Sequence, residues 1–256
     1  MFRSEIDAVA NTAKNKAGLM EKNLFSYLIL SALAGMYIGL GSILMGCVGG
    51  TFTAAGSHAA KLVCGLVFSV ALCFVTVAGA ELFTGNNFVM AVGALSGTVS
   101  WGKTIKLWAV CWFGNLIGSV VVAAVFTMTG VPEISEIGAF LANTAAGKIA
   151  GTIPQLVAKG IFCNICVCLA IWCGAKLKSE GARIALNFCC VTTFVACGFE
   201  HCVANMTFLS VGFLNPNGTA VTLAGIGYNL LFVTIGNIIG GVLFLAVPYY
   251  LVSKEK

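Results

Sequence analysis

Charge is what this sequence has least of. Of 256 residues, 14 are Lys or Arg and 9 are Asp or Glu, 9% in all, against 59% hydrophobic residues and a mean hydropathy of +0.99. A soluble domain carries about a quarter charged residues, and much of its surface must be polar to meet water. The shortage excludes a soluble enzyme, a nucleic-acid binder and a disordered chain. The net charge of +5 is confined to the ends and loops, so it reads as membrane topology and not as a nucleic-acid patch. The first 23 residues lack a short apolar core followed by a cleavage site, which excludes a signal peptide from the reading. Ile6, Val9, Ala10 and Ala13 fall at helical spacing there and predict an amphipathic helix at the inner surface.

Long apolar runs and cysteine are abundant instead. The twelve cysteines are scattered through the apolar runs, where a thiol behaves as a small hydrophobe. Cys163-x-x-Cys166-x-Cys168 is the one spacing that suggests a metal, but no second pair and no histidine lies nearby in sequence. No metal or other cofactor is expected.

A helix needs about 20 apolar residues to cross the hydrocarbon core. Six candidate spans follow: 24–48; 62–80, stopped by Glu81 and resuming over 88–95; 107–128; 160–175; a fifth from 184, stopped by Glu200 and resuming over 203–213; and 226–252. The stretch 130–158 is expected to be an extracellular-side loop. Six crossings place both termini on one side, and with the termini inside, 11 of the 14 Lys and Arg residues lie inside. Only Lys61, Lys148 and Lys159 lie outside, which predicts cytoplasmic termini. The expected organisation is a single transmembrane unit over 1–256, with a cytoplasmic segment 1–23, a first repeat 24–129, the loop 130–158, a second repeat 159–252 and a tail 253–256.

The two halves echo each other. Glu81-Leu82-Phe83-Thr84-Gly85-Asn86 and Glu200-His201-Cys202-Val203-Ala204-Asn205 share Glu-x4-Asn at an offset of 119. Phe113-Gly114-Asn115-Leu116-Ile117-Gly118 and Ile235-Gly236-Asn237-Ile238-Ile239-Gly240 match at an offset of 122. Three spans per half require the second half to enter the membrane upside down. Inverted repeats with matching interrupted helices point to a permeation protein with its pathway at the interruptions.

Glu81 and Glu200 are the only acids inside the apolar spans. Each either belongs to the pathway or accepts hydrogen bonds from backbone N–H groups freed by the broken helix. Asn86 and Asn205 are expected to cap the restarting half-helices. Two half-helices starting near mid-membrane aim two positive dipole ends at the centre and favour an anion. His201 sits in the second break, where neutral it donates one hydrogen bond and protonated it exchanges a proton with a weak acid in transit. Thr84 lies in the equivalent break of the first half and offers a hydroxyl. Lys148 is either an anion-attracting residue of a vestibule or a solvated loop lysine. Asn164 either lines a mouth or bonds a neighbouring helix. Leu82 and Phe194 are candidate constrictions, and His58 is expected to be merely exposed. Gly35, Gly39, Gly114, Gly118, Gly236, Gly240 and Gly241 read as helix-contact positions.

The segment 81–86, Lys159-Gly160-Ile161-Phe162-Cys163-Asn164, and Gly198-Phe199-Glu200-His201-Cys202-Val203-Ala204-Asn205-Met206 resemble the signature stretches of the formate/nitrite transporter family, over about residues 1–252. Among its branches the chain most resembles the bacterial hydrosulfide channels. The resemblance implies an all-α, aquaporin-like protomer of six transmembrane helices in two inverted repeats, with the second and fifth helices broken. It implies a homopentamer in the bacterial inner membrane, one pore per subunit, and membrane lipid filling the central hole. The expected substrates are small anions: hydrosulfide first, then formate or nitrite. The family's central histidine falls on His201, its loop threonine on Thr84, its outer lysine on Lys148 and its fourth-helix asparagine on Asn164. Hydrophobic constrictions are implied at Phe68, Leu82, Val167 and Phe194.

The leading expectation is therefore a passive anion channel. The alternatives are a proton-coupled transporter moving the acid as a neutral species, an intramembrane enzyme pairing Cys202 with His201, and a neutral-solute aquaporin relative. The last is disfavoured because Asn215-Pro216-Asn217 is a single occurrence.

Overall fold

The computed structural model describes residues 1–254 of the chain. Its elements are α1 (Arg3–Lys22), α2 (Leu24–Ala54), α3 (Ala60–Phe68), α4 (Val70–Ala78), α5 (Phe83–Leu95), α6 (Trp101–Thr127), α7 (Ser135–Ile149), α8 (Ile153–Lys176), α9 (Glu180–Ala196), α10 (Cys202–Leu214), α11 (Leu223–Gly241) and α12 (Val247–Lys254). Among the described residues there is no strand. Five runs are long and apolar enough to cross a membrane: Leu24–Ala54, Ala60–Ala78, Trp101–Thr127, Ile153–Lys176 and Leu223–Lys254. α9, with 17 residues, and α10, with 13, are shorter.

Two helix pairs form the frame, α2 with α6 and α8 with α11. Small residues let the backbones close in. A Cβ on Gly118 would collide with the carbonyl oxygen of Ala32, and one on Gly35 with that of Asn115. In the other pair, Gly236 sits against the carbonyl of Val157 and Gly240 against that of Ile161. The glycines read as contact positions thus carry close approach between whole helices.

Each half contains an interrupted helical stretch. α4 ends at Ala78; Gly79, at φ +80°, turns the chain, and α5 starts at Phe83. α9 ends at Ala196, Gly198 turns at φ +71°, and α10 starts at Cys202. Only glycine takes such φ values without strain.

Several expectations need correction. The stretch 130–158 is not a loop throughout, because it holds the four-turn helix α7. Ile137, Leu141 and Ala145 recur every fourth residue and are buried, a stripe masked by the polar residues between them. α5 starts five residues before the predicted restart at 88, and α8 seven residues before 160. In α8 the Gln155 side chain accepts from the Thr152 N–H at 3.0 Å, and Pro154 occupies the first turn, a start signal that hydropathy does not register. The final helix is not one α-helix, since Val242–Ala246 forms a π-helical turn between α11 and α12. α1 is the predicted amphipathic helix, but its apolar face, Ile6, Val9, Ala10, Ala13, Ala17 and Met20, is buried against protein, chiefly α5. Phe2 packs edge-on to Trp172 and Tyr249, with the Lys176 ammonium 4.2 Å above its ring.

Candidate functional site

The two restarting helices meet. Thr84, in the first turn of α5, and His201, the residue before α10, lie 3.0 Å apart from Oγ1 to Nε2, both fully or nearly fully buried. Nδ1 of His201 accepts from the Ala204 N–H at 3.1 Å. That bond fixes the tautomer: Nδ1 carries the lone pair, so Nε2 carries the hydrogen and donates it to Thr84. The Thr84 hydroxyl hydrogen then remains available to a third group. Two half-helix N-termini and one free hydroxyl donor converge here, an arrangement suited to a small anion.

The N–H groups that open the two helices are capped from a distance. Asn115 Oδ1 on α6 accepts from the Phe83 N–H, and its amide donates to the carbonyls of Ser31 and Glu81, all within 2.7–2.9 Å. Asn237 on α11 does the same in the other half: it accepts from the Cys202 N–H at 2.9 Å and donates to the carbonyls of Gly160 and Glu200 at 2.8 and 3.0 Å. The role assigned to Asn86 and Asn205 is therefore wrong. They sit a full turn into their helices and donate instead to carboxylates, Asn86 to Glu81 Oε2 at 2.8 Å and Asn205 to Glu200 Oε2 at 2.5 Å. The sequence flagged Asn115 and Asn237 as a repeat match, and only the fold shows their use.

The two glutamates are likewise not acceptors for freed backbone N–H groups. Glu81 accepts from the Tyr27 hydroxyl at 3.2 Å and pairs through Oε1 with Lys16 Nζ at 2.6 Å. Glu200 pairs with Lys148 Nζ at 2.9 Å. A burial of a carboxylate without a partner is costly, and each is met by one lysine and one asparagine. Lys148 is thus neither a solvated loop residue nor a free cation; its side chain is 13% exposed and its ammonium also lies 5.5 Å from the Phe208 ring centroid. Lys16, on α1, is its counterpart and was read from sequence only as a topology charge.

A cavity of about 940 Å³ is lined by Phe68, Phe194 and His201, by Lys148 and Glu200, and by the exposed His58, Lys61 and Lys159. Phe194 stacks on the imidazole at 5.9 Å, and Phe68 meets Phe194 edge-on at 6.1 Å. Thr84, Leu82, Val167 and Asn164 lie outside that cavity. Leu82 is the buried residue preceding α5, and Val167 is buried on α8. Asn164 donates to the carbonyls of Thr84 and Asn237 and to Asn87 Oδ1 within 2.6–3.2 Å, so of its two readings it is the helix-bonding one. His58 is exposed, as expected, and also lines the cavity. Neither ring nitrogen of His201 is free to serve Cys202 as a base, which removes the nucleophile-pair reading.

The comparisons agree with this architecture. Residues 3–251 match the family model described as formate/nitrite transporter. The nitrite transporter NirC of Salmonella typhimurium (strain LT2) is 37% identical over 257 residues, covering 100% of this chain and 94% of that protein. The formate channel FocA of Escherichia coli (strain K12) is 34% identical, over 77% of this chain and 75% of its own. A solved structure described as an FNT family ion channel superposes with a TM-score of 0.91 at 36% identity, covering 97% of this chain and 98% of the other. A pentameric formate channel with formate bound superposes at 0.76 and 28% identity, over 92% and 99%. These relatives are channels and transporters and not enzymes. The chain is a multi-pass membrane protein that belongs to the formate/nitrite transporter family.

Proposed function

We propose that the protein is a passive channel for small monovalent anions of weak acids. The observation that carries this reading is the 3.0 Å contact between Thr84 and His201, which joins the N-termini of α5 and α10 beside a cavity that His201, Phe68 and Phe194 line. An anion leaving the cavity passes the Phe68–Phe194 pair, displaces the Thr84–His201 hydrogen bond so that the Thr84 hydroxyl and the His201 Nε2–H both donate to it, and leaves past Leu82 and Val167. Holding stays weak, because the donors are neutral and few. Relatives named for nitrite and for formate support those two anions as substrates. Hydrosulfide, expected from the branch resemblance, fits the same donors. The His201 tautomer favours the channel over a transporter that protonates its cargo through the ring. An imidazolium has hydrogens on both nitrogens, so charging it would break the bond from Ala204.

In this reading the chain is one transmembrane unit that crosses the membrane six times in two inverted halves, 24–129 and 159–252, with α4/α5 and α9/α10 as the broken members. The lysine distribution puts both termini in the cytoplasm and the cavity on the outer face. The proposed setting is a bacterial inner membrane and a homopentamer around lipid; the pentameric formate channel that superposes on the chain supports the five-fold assembly.

Flux into sealed liposomes carrying the purified protein tests the proposal. Formate, nitrite and hydrosulfide should enter well ahead of chloride, and His201→Ala should cut their flux about tenfold or more, since a hydrogen bond to a charged group is worth about 1.5–3 kcal/mol. Unchanged flux in His201→Ala would remove the site from the pathway.

A further inference from the structure

The lysine inside the cavity cannot supply the field that draws anions into it. Lys148 is 2.9 Å from Glu200, and a paired cation and carboxylate leave little net charge to act at a distance. Glu200 itself lines the cavity and would repel an anion without that lysine. Two other lysines in the cavity lining are exposed to solvent. Lys61 lies in the first turn of α3 and Lys159 near the start of α8; both are exposed and line the same cavity. Among the described residues neither forms an ion pair, since the four ion pairs present use Arg3, Lys16, Lys103 and Lys148. Lys61 is also placed against its own helix. A cation in a first turn opposes the helix dipole and costs local stability, so that lysine is not explained by the fold.

The other ionisable groups facing the cavity are His58, Cys64 and His201, besides the Lys148–Glu200 pair. The acid Glu136 on α7 lines a separate shallow groove next to it, beside Phe140 and Asn143.

We infer that Lys61 and Lys159 are the capture residues of this channel: an unpaired cationic rim that concentrates small anions at the outer mouth, while Lys148 neutralises Glu200. The inference rests on the channel reading above. The rim touches no anion at the Thr84–His201 contact, so it sets how often the cavity is filled and leaves the passage step and the choice among anions unchanged. Such a field reaches about 30 Å at 0.01 M ionic strength and about 3 Å at 1 M.

The test is formate permeability of proteoliposomes, at formate concentrations well below saturation and with potassium gluconate setting ionic strength equally on both faces. In the Lys61→Gln/Lys159→Gln double variant, permeability at 0.01 M should fall about fourfold, the effect of two unit charges acting through water at about 10 Å. At 1 M the two proteins should agree, and saturating flux should match at both salts. Lys61→Arg/Lys159→Arg should retain wild-type permeability at low salt. The inference is overturned if the Gln variant loses the same factor at both salts, which marks a packing defect, or loses nothing at low salt. It is equally overturned if the Arg variant is as impaired as the Gln variant. Wild-type protein passing no anion at any salt would instead overturn the channel reading beneath it.

Discussion

At the scale of single residues, the pathway is held by side chains that never touch it. Asn115 and Asn237 each close three hydrogen bonds to backbone groups at a helix break, in an interior with no water to replace them. Replacing Asn115 by Ala orphans the Phe83 N–H and two carbonyls at once. With about 1–3 kcal/mol for each unsatisfied group, offset by relaxation, Asn115→Ala should lose about 3 kcal/mol. Thermal unfolding in detergent should show it, and Asn237→Ala should show the same. A variant as stable as the wild type would mean that the breaks are held by something else. Both asparagines were legible as half of a repeated pattern, but not as caps. A cap is normally sought next to the helix it serves, and these act from helices 32 and 35 residues away in sequence.

At the scale of elements, each broken helix is tied to a helix lying across its end. α1 reaches the first break through Lys16–Glu81, and α7 reaches the second through Lys148–Glu200. The two ties use the same chemistry, so they should respond alike to a double-mutant cycle. Removing either partner alone leaves a largely buried charge unpaired, which costs about 3 kcal/mol, while removing both should recover part of it. A coupling of about 1–3 kcal/mol is expected for Lys16→Ala with Glu81→Ala and for Lys148→Ala with Glu200→Ala. Additive losses, measured as unfolding free energies, would show that the pairs do not act as pairs. Hydropathy located the apolar helices with boundaries off by up to about seven residues, because a run of about 20 apolar residues is a strong signal while polar residues in a first turn hide the start. It failed on α7, whose apolar stripe is diluted by polar neighbours, and on the faces of α1, because periodicity tells which side is apolar and not what covers it.

At the scale of the whole molecule, one cavity has Phe68, Phe194 and His201 in its lining, and α1 packs on α5 beside the first break, where Lys16 pairs with Glu81. Two-fold echoes in the sequence made the breaks, His201 and Thr84 visible before any coordinates. Phe68 and Val167 came from family resemblance alone, while Leu82, Phe194 and Lys148 stood out by position with their roles left open, because an aromatic or a lysine in a row of candidates carries no label for what it faces. The pairing of Lys148 with Glu200, 52 residues apart, depends on how α7 folds over α10 and is invisible to spacing.

The central claim is that the species crossing the Thr84–His201 contact is an anion, held by neutral donors. The most direct measurement is the current evoked by a formate jump across a solid-supported membrane loaded with the protein, in the wild type and in Thr84→Val. Passage as an anion predicts a current of the sign of inward negative charge in the wild type, reduced about tenfold or more when the hydroxyl donor is removed, the scale of one hydrogen bond to a charged group. Formate uptake without current, or a current unaltered in Thr84→Val, would contradict it.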